Sequence, residues 1–258
     1  MSRTPRIIAT LALVSACTAH HAIDGGPRSG SNGGGQDGAI LGGSGLPGVG
    51  AHGIAYYHLG SNNETSIATP SLDTQPTGST MIVAVGRGML SGFALPTDNK
   101  GNAPYQQLGQ VEPYHYYPNS GTATYAFPNM VGGPGDVVQT SNIAQDEITL
   151  AAVEVVDATH VADMSWIDAT DNPTTSMPVT TTGPATLVAI WWGEANSQPD
   201  PQQAMVQDGF TIIDSALDAG SLVQCAVAVK NVGSAGTYSV AWTAVPTQVA
   251  ELWLIAVQ

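Results

Sequence analysis

Short apolar runs, each bounded by turn-forming residues, recur along the last four-fifths of the chain and limit what it can fold into. The runs are rich in β-branched and aromatic residues, which predicts β-strands; the clearest are residues 80–85, 147–156, 185–192, 223–229 and 250–257. Gly, Pro, Asn and Asp separate them, as in 98–102 and 132–135. Because many runs are nearly continuously apolar, they suit the central strands of a closed sandwich. We therefore expect an all-β fold, a two-sheet antiparallel β-sandwich, with helical turns only at 201–206 and 213–219.

The sequence also contains an internal repeat with a spacing of about 100 residues. The matching segments are 76–86 with 181–191, and 125–138 with 226–240, and each half then closes with a long apolar run. This spacing is too long for a solenoid. We interpret it as an internal duplication in which two interleaved halves of one jelly roll each contribute strands to both sheets. The alternative is two tandem immunoglobulin-like domains.

Charge and motifs exclude several classes of function. Six Lys and Arg against 20 Asp and Glu give a formal net charge of -14, so this acidic chain would be repelled by nucleic acid. The sequence has no G-x-S-x-G, Walker, H-E-x-x-H or C-x-x-C motif. We therefore favour binding over catalysis, although the sequence leaves an enzymatic activity open.

The first 17 residues have the pattern of an export signal. Two arginines precede the short apolar run 7–14, and Val14-Ser15-Ala16-Cys17 follows it. The last four residues resemble the lipobox of bacterial lipoproteins. The resemblance implies a signal peptide over 1–16, lipidation of Cys17, and a lipid anchor in the bacterial outer membrane or at the cell surface. The alternative is an ordinary secretory peptide with a chance cysteine.

The rest of the chain divides into a tether and a folded body. Residues 17–50 are rich in glycine and lack an apolar period, so we expect a flexible tether there. Residues 51–258 contain the predicted strands and form the expected β-sandwich domain. Once Cys17 is lipidated only Cys225 is left, and its apolar neighbours predict a buried, inert thiol.

Four segments of the body resemble a known module. They are residues 78–85, 98–109 and 129–135 and the strand that contains Glu154. They are similar to a jelly-roll, concanavalin-like β-sandwich module of secreted bacterial proteins, whose function is largely unassigned. The similarity covers roughly residues 64–258 and implies an architecture without a specific chemistry.

Aromatic residues provide the main candidates for ligand contact. Six of the eight tyrosines lie in two short segments, 56–57 and 105–117, and exposed tyrosines commonly bind sugar rings or protein partners. Trp191 and Trp192 point to opposite faces of one strand, so we expect at most one of them in the core. The predicted ligand-binding residues, for a carbohydrate or a protein ligand, are Tyr105, Tyr114, Tyr116, Tyr117 and Trp192. Plain strand packing of the tyrosines is the alternative.

Oxygen ligands at 98–102 suggest one cation site. Asp98 and Asn102 lie in a glycine-containing turn and could bind Ca²⁺, whereas the same residues form an Asx turn without metal. No other cofactor is expected.

Acidic residues support an alternative function. If Asp98, Glu112 and Glu194 shared a cleft beside an aromatic platform, the protein would be a hydrolase of envelope glycans. Glu154 and Glu251 are the acids inside apolar runs, and we expect each to be a buried structural carboxylate or an edge-strand gatekeeper. A purely structural or assembly lipoprotein is the third hypothesis.

Overall fold

The computed structural model describes residues 46–57, 63–171, 174–194, 203–217, 223–245 and 250–258. Within these ranges the protein is all-β, with strands and one short 3₁₀ turn at Leu90–Gly92. All strand pairs are antiparallel, which confirms the predicted class of β-sandwich. No helix in the described ranges is long and apolar enough to cross a membrane. The signal segment, Cys17 and almost all of the tether lie outside the described residues.

The first half of the chain forms eight strands. They are β1 (Gly48–Tyr57), β2 (Ser66–Ala68), β3 (Ser79–Arg87), β4 (Thr97–Asp98), β5 (Gln106–Pro113), β6 (Gly121–Met130), β7 (Val138–Ser141) and β8 (Ile148–Val156).

The described part of the second half forms ten strands. They are β9 (Val161–Ala169), β10 (Thr174–Thr175), β11 (Val179–Thr181), β12 (Ala185–Glu194), β13 (Gln203–Val206), β14 (Thr211–Ala216), β15 (Val223–Val232), β16 (Gly236–Tyr238), β17 (Ala241–Val245) and β18 (Ala250–Val257). The helical turns expected at 201–206 and 213–219 are wrong, because β13 and β14 occupy the described parts of these segments.

Each half builds its own large sheet. The strand order is β1-β8-β3-β6-β5 in the first five-stranded sheet and β14-β15-β12-β18-β9 in the second. The expectation that each half contributes strands to both sheets is therefore wrong. Strand β8 pairs with both β1 and β3, so the first sheet is complete before the chain turns at 157–160 into the second. An internal duplication stays a prediction.

Smaller sheets cover the outer faces. The first half adds β2-β7-β4, and the second half adds β10-β17-β13 and the pair β11-β16. Between these layers, the two five-stranded sheets pack face to face around a central core that both halves supply. Ile82 and Val153 of the first half and Val227 and Ile255 of the second are buried there. The large sheets are thus apolar on both faces, which explains the nearly continuous apolar runs.

The two adjacent tryptophans show that both faces of a large sheet are buried. Trp191 is 0% exposed in the core under the outer sheets, and Trp192 is 1% exposed in the central core. The expectation that at most one of them is in the core is wrong, because the sheet is covered on both sides. The Trp192 indole packs directly on Gly86 of β3, where a Cβ atom would lie 1.9 Å from Nε1.

Two His–Asp pairs join the halves at opposite edges of the central interface. His52 of β1 lies with Nδ1 2.8 Å from Oδ2 of Asp214 in β14. His115, which follows β5, lies with Nδ1 2.6 Å from Oδ2 of Asp168 in β9. All four residues are partly exposed, so these contacts connect the rims of the two sheets.

Two buried charged groups of the first half, Arg87 and Glu154, have protein partners. Arg87 donates from Nε and Nη2 to Oδ2 of Asp146, at 2.9 and 2.8 Å, and both side chains are almost fully buried. Glu154 lies on the interior strand β8 and accepts hydrogen bonds from the Ala51 and Gln75 amides and the Ser79 hydroxyl. Glu154 is therefore a buried structural carboxylate rather than an edge-strand gatekeeper.

We expect Gly86→Ala to destabilise the protein by more than about 2 kcal/mol, because the added methyl group overlaps the Trp192 indole and overpacks the central core. Gly233→Ala is the matched control, because no atom lies within 4 Å of its Cβ position, and we expect a change within about 0.5 kcal/mol. Chemical denaturation measures both. Equal stability of the two variants would show that the halves do not pack through this contact.

Candidate functional site

One end of the central interface brings together aromatic and acidic side chains from both halves. The residues come from the end of β5, the turn that follows it, and the adjacent ends of β9, β12 and β18. We call them the acidic–aromatic cluster: Glu112, Tyr114, His115, Tyr116, Tyr117, Asp168, Trp192 and Glu251.

The turn between β5 and β6 carries four of these residues and is closed by its own backbone. The Tyr114 amide donates to the Ser120 carbonyl at 2.9 Å, and the Ser120 amide and hydroxyl both donate to the Tyr117 carbonyl at 2.7 Å. Gly121 follows directly, and a Cβ atom there would lie 2.0 Å from the Glu112 carbonyl oxygen. The sequence therefore closes β5 onto β6 with a tight turn that places adjacent tyrosines in different surroundings.

Tyr114 anchors this turn in the central core. Its side chain is 1% exposed, and its ring meets Trp192 edge-on at a centroid distance of 5.7 Å. The expectation that Tyr114 and Trp192 are exposed for ligand contact is wrong, because the second half covers this face of the first sheet. Both residues pack in the core beneath the exposed part of the turn.

His115, Tyr116 and Tyr117 form the outer side of the turn. Tyr116 is 56% exposed, and its ring centroid lies 3.9 Å from that of His115. Tyr117 is half-buried against the central core. Asp168 of the second half accepts a hydrogen bond from the His115 amide at 2.9 Å and also contacts the imidazole. This exposed surface is therefore fixed by contacts to both halves.

Glu251 lies behind this surface as a buried acid. It is 0% exposed, and neither carboxyl oxygen has a hydrogen-bond partner. The pKa of Glu251 is raised to about 9, mainly by burial. The negative charges of Asp168 and Glu112 add to this rise, and the Thr122 hydroxyl opposes it. Glu251 is therefore protonated at neutral pH. Partial burial also raises the pKa of Glu112.

Tyr105 lies elsewhere, on the outer side of the first sheet. It is 1% exposed, and its hydroxyl donates to Oδ2 of Asp98 at 2.8 Å. Burial, followed by the neighbouring Asp98 carboxylate, raises the pKa of Tyr105. The prediction that Tyr105 shares an exposed patch with Tyr116 is wrong, because it packs under the small sheet of the first half.

The segment 98–102 forms the Asx turn that was the alternative to a calcium site. Oδ1 of Asp98 accepts from the amides of Lys100 and Asn102, at 3.0 and 2.9 Å. Oδ2 accepts from Asn102 Nδ2 and from Tyr105, both at 2.8 Å. Protein donors thus occupy both oxygens. In the described ranges, no group of three or more His, Cys, Asp or Glu is placed to hold a metal ion.

The acids that the alternative hydrolase would require do not all lie in one cleft. Asp98 lies in the outer sheet of the first half and contacts Tyr105, whereas Glu112 is the cross-strand partner of Thr122, whose hydroxyl accepts from Trp253 Nε1 at the central interface. The side chain of Glu194 is outside the described residues. Cys225 is buried as predicted, and burial raises the pKa of its thiol to about 12, so it is inert at neutral pH.

Sequence reasoning missed two members of the cluster, His115 and Asp168. His115 lies inside the tyrosine-rich segment, and Asp168 lies within β9, whose residues are a mixture of polar and apolar types. Neither has a motif, and their contact joins residues 53 positions apart. For Glu251 the sequence does give a signal of burial, because an acid lies there within an apolar run.

Comparison of the chain with protein-family models, with curated proteins and with solved structures found no match.

We expect the free energy of unfolding to fall as the pH rises between 4.5, the ordinary pKa of Glu251, and about 9. In this range folded Glu251 keeps a proton that the unfolded chain releases, so the slope approaches about 1.4 kcal/mol per pH unit from this residue. Glu251→Gln removes that dependence. The variant should match the wild type below the ordinary pKa and be more stable at neutral pH, as measured by urea denaturation across this range.

Glu154→Gln is the matched control for this prediction. It replaces an acceptor oxygen by a donor at a carboxylate that three protein groups contact, so it should lower stability at neutral pH. If Glu251→Gln and the wild type show the same pH dependence, Glu251 does not hold a proton in the folded state.

Proposed function

We propose that the protein is a non-catalytic binding protein whose ligand is a carbohydrate, bound at the exposed side of the acidic–aromatic cluster. The observation that carries the proposal is Tyr116, which is 56% exposed while its ring packs on His115. An aromatic ring presented in this way stacks on the apolar face of a sugar ring. A tyrosine supplies this contact at a low cost in conformational entropy.

Polar groups beside Tyr116 suit sugar hydroxyls. The partly exposed Glu112 carboxylate can accept hydrogen bonds, and the His115 imidazole can donate or accept according to its tautomer. Asp168 holds the His115 amide and ring in place, and Tyr114 fixes the base of the turn in the core. Such preorganisation reduces the ordering cost of binding.

The acids favour binding over hydrolysis. A glycosidase needs two carboxyl groups that flank the scissile bond. Glu251 is fully buried, and Asp98 lies on the opposite side of the first sheet from Glu112. A protein ligand and a purely structural role are the alternatives that a binding experiment separates from the proposal.

We expect the purified protein to bind a subset of glycans on an array and Tyr116→Ala to reduce that binding at least roughly tenfold, because truncating an exposed aromatic anchor commonly costs more than 1 kcal/mol. Tyr238→Ala is the control, because Tyr238 is a half-buried tyrosine of β16 in the outer layer of the second half. Glycan binding that survives Tyr116→Ala would remove the proposed site. Absence of any glycan binding would favour a protein ligand or a structural role.

The proposal includes a lipid anchor. Val14-Ser15-Ala16-Cys17 resembles a lipobox, and the glycine-rich residues that follow suit a tether between a lipidated Cys17 and the sandwich. The site would then be displayed at the outer membrane or surface of a bacterial cell. Two or more acyl chains hold a protein on a membrane more stably than a single chain does.

In cells fed labelled palmitate, we expect the wild-type protein to carry the label and Cys17→Ala to lose it. Cys225→Ala is the matched control, because Cys225 is the other cysteine of the sequence and is buried, so it should keep the label. Labelling of Cys17→Ala would contradict the proposed anchor.

A further inference from the structure

Two histidine–aspartate pairs of the same chemistry lie in different surroundings. His115 and His52 each contact an aspartate of the second half through Nδ1, at 2.6 and 2.8 Å, and both histidine side chains are 34% exposed. The His115 ring centroid lies 3.9 Å from that of the exposed Tyr116, and the two ring planes meet at 45°. Within the described ranges, His52 has no such ring contact. His115 therefore combines a partly exposed imidazole with a platform for a sugar ring.

The aspartate partner of His115 decides which ring nitrogen carries the hydrogen. A carboxylate only accepts hydrogen bonds, so the neutral imidazole places its hydrogen on Nδ1, which donates to Oδ2 of Asp168. Nε2 then keeps its lone pair, and in the described part of the chain it has no hydrogen-bond partner. Nε2 of His115 is therefore a hydrogen-bond acceptor without a protein donor.

The second half of the chain fixes the orientation of this acceptor. Oδ2 of Asp168 also accepts from the His115 amide at 2.9 Å, so one oxygen atom holds both the backbone and the ring. The Asp168 side chain is 14% exposed and lies on β9, whereas His115 belongs to the turn after β5. Tyr114 fixes the base of the same turn in the core. The acceptor is thus in place before a ligand arrives, which lowers the ordering cost of binding.

The chemistry of a sugar matches an acceptor beside an aromatic ring. A sugar that stacks its apolar face on Tyr116 carries hydroxyl groups around the rim of that face, and each hydroxyl can donate one hydrogen bond. We propose that Nε2 of His115 accepts a hydrogen bond from a hydroxyl group of the bound sugar, with Asp168 as the positioning residue that sets the tautomer. This assignment rests on the proposed carbohydrate binding and identifies a group that distinguishes sugars by the position of a hydroxyl.

The experiment measures binding by calorimetry at about pH 8.5, above the range in which histidine changes its charge. The probes are pentasaccharides of glucose, xylose, mannose and N-acetylglucosamine; where none of the four binds, the tightest glycan of the array takes their place. His115→Phe keeps a ring beside Tyr116 and removes Nε2. We expect it to weaken binding of the tightest probe roughly fivefold, as for the loss of one hydrogen bond between neutral groups. His52→Phe is the matched control, because it breaks the equivalent pair away from Tyr116, and its affinity should equal that of the wild type.

Asp168→Asn tests the positioning role separately. In ¹⁵N NMR spectra of the unliganded wild type at the same pH, we expect the imidazole hydrogen of His115 on Nδ1 and a shift of the Nε2 signal when the tightest probe binds. An asparagine amide can also donate to Nδ1, which favours the other tautomer. Asp168→Asn should therefore populate both tautomers and weaken binding about threefold. Asp214→Asn should change the tautomers of His52 in the same way and leave the affinity unchanged.

The outcomes separate this proposal from the function on which it rests. An affinity that Tyr116→Ala lowers and His115→Phe leaves unchanged overturns the proposal and leaves carbohydrate binding intact. Equal losses in His115→Phe and His52→Phe also overturn it, because packing of the two halves would then account for both. A hydrogen on Nε2 of wild-type His115 excludes the assigned acceptor and overturns the proposal. Absence of binding to all of these glycans overturns both.

Discussion

Burial of both faces of the two large sheets is the constraint on which the rest of the structure depends. A five-stranded sheet that packs on a smaller sheet on one side and on its counterpart on the other must carry apolar side chains in both directions. Trp191 and Trp192 are therefore both core residues, although they point apart. The same constraint requires Gly86 where the Trp192 indole meets the opposite sheet.

Polar groups inside this layered core are stabilised in two different ways. The carboxylate of Glu154 receives three hydrogen bonds, and Arg87 is matched by Asp146, so these charges are compensated where they are buried. Glu251 has no such partners and becomes neutral instead. A buried carboxylate such as Glu154 and a buried neutral carboxyl group such as Glu251 thus differ in their hydrogen-bond partners rather than in their burial.

The sequence predicts well which segments form the core strands. It predicts poorly which of these strands pair in the same sheet. The apolar runs at 80–85, 185–192 and 223–229 all fall within the strands β3, β12 and β15, because burial on both faces leaves a direct compositional signal. Strands β13 and β14 mix polar and apolar residues, a pattern that predicts helical turns where the structure has strands. Assignment of strands to sheets depends on contacts distant in sequence, which neither composition nor the repeat specifies.

The candidate site was predictable in part for the same reason. The tyrosine-rich segment does hold the exposed Tyr116, but sequence alone does not tell which tyrosine is covered by a second sheet, so Tyr105 and Tyr114 were misplaced. The face-to-face packing of two separately built sheets has a further consequence, for biosynthesis. The first half leaves the ribosome before the second and presents its broad apolar face to water until the remaining strands arrive. A cell that makes or exports this chain must keep that face from associating with other nascent chains during the interval.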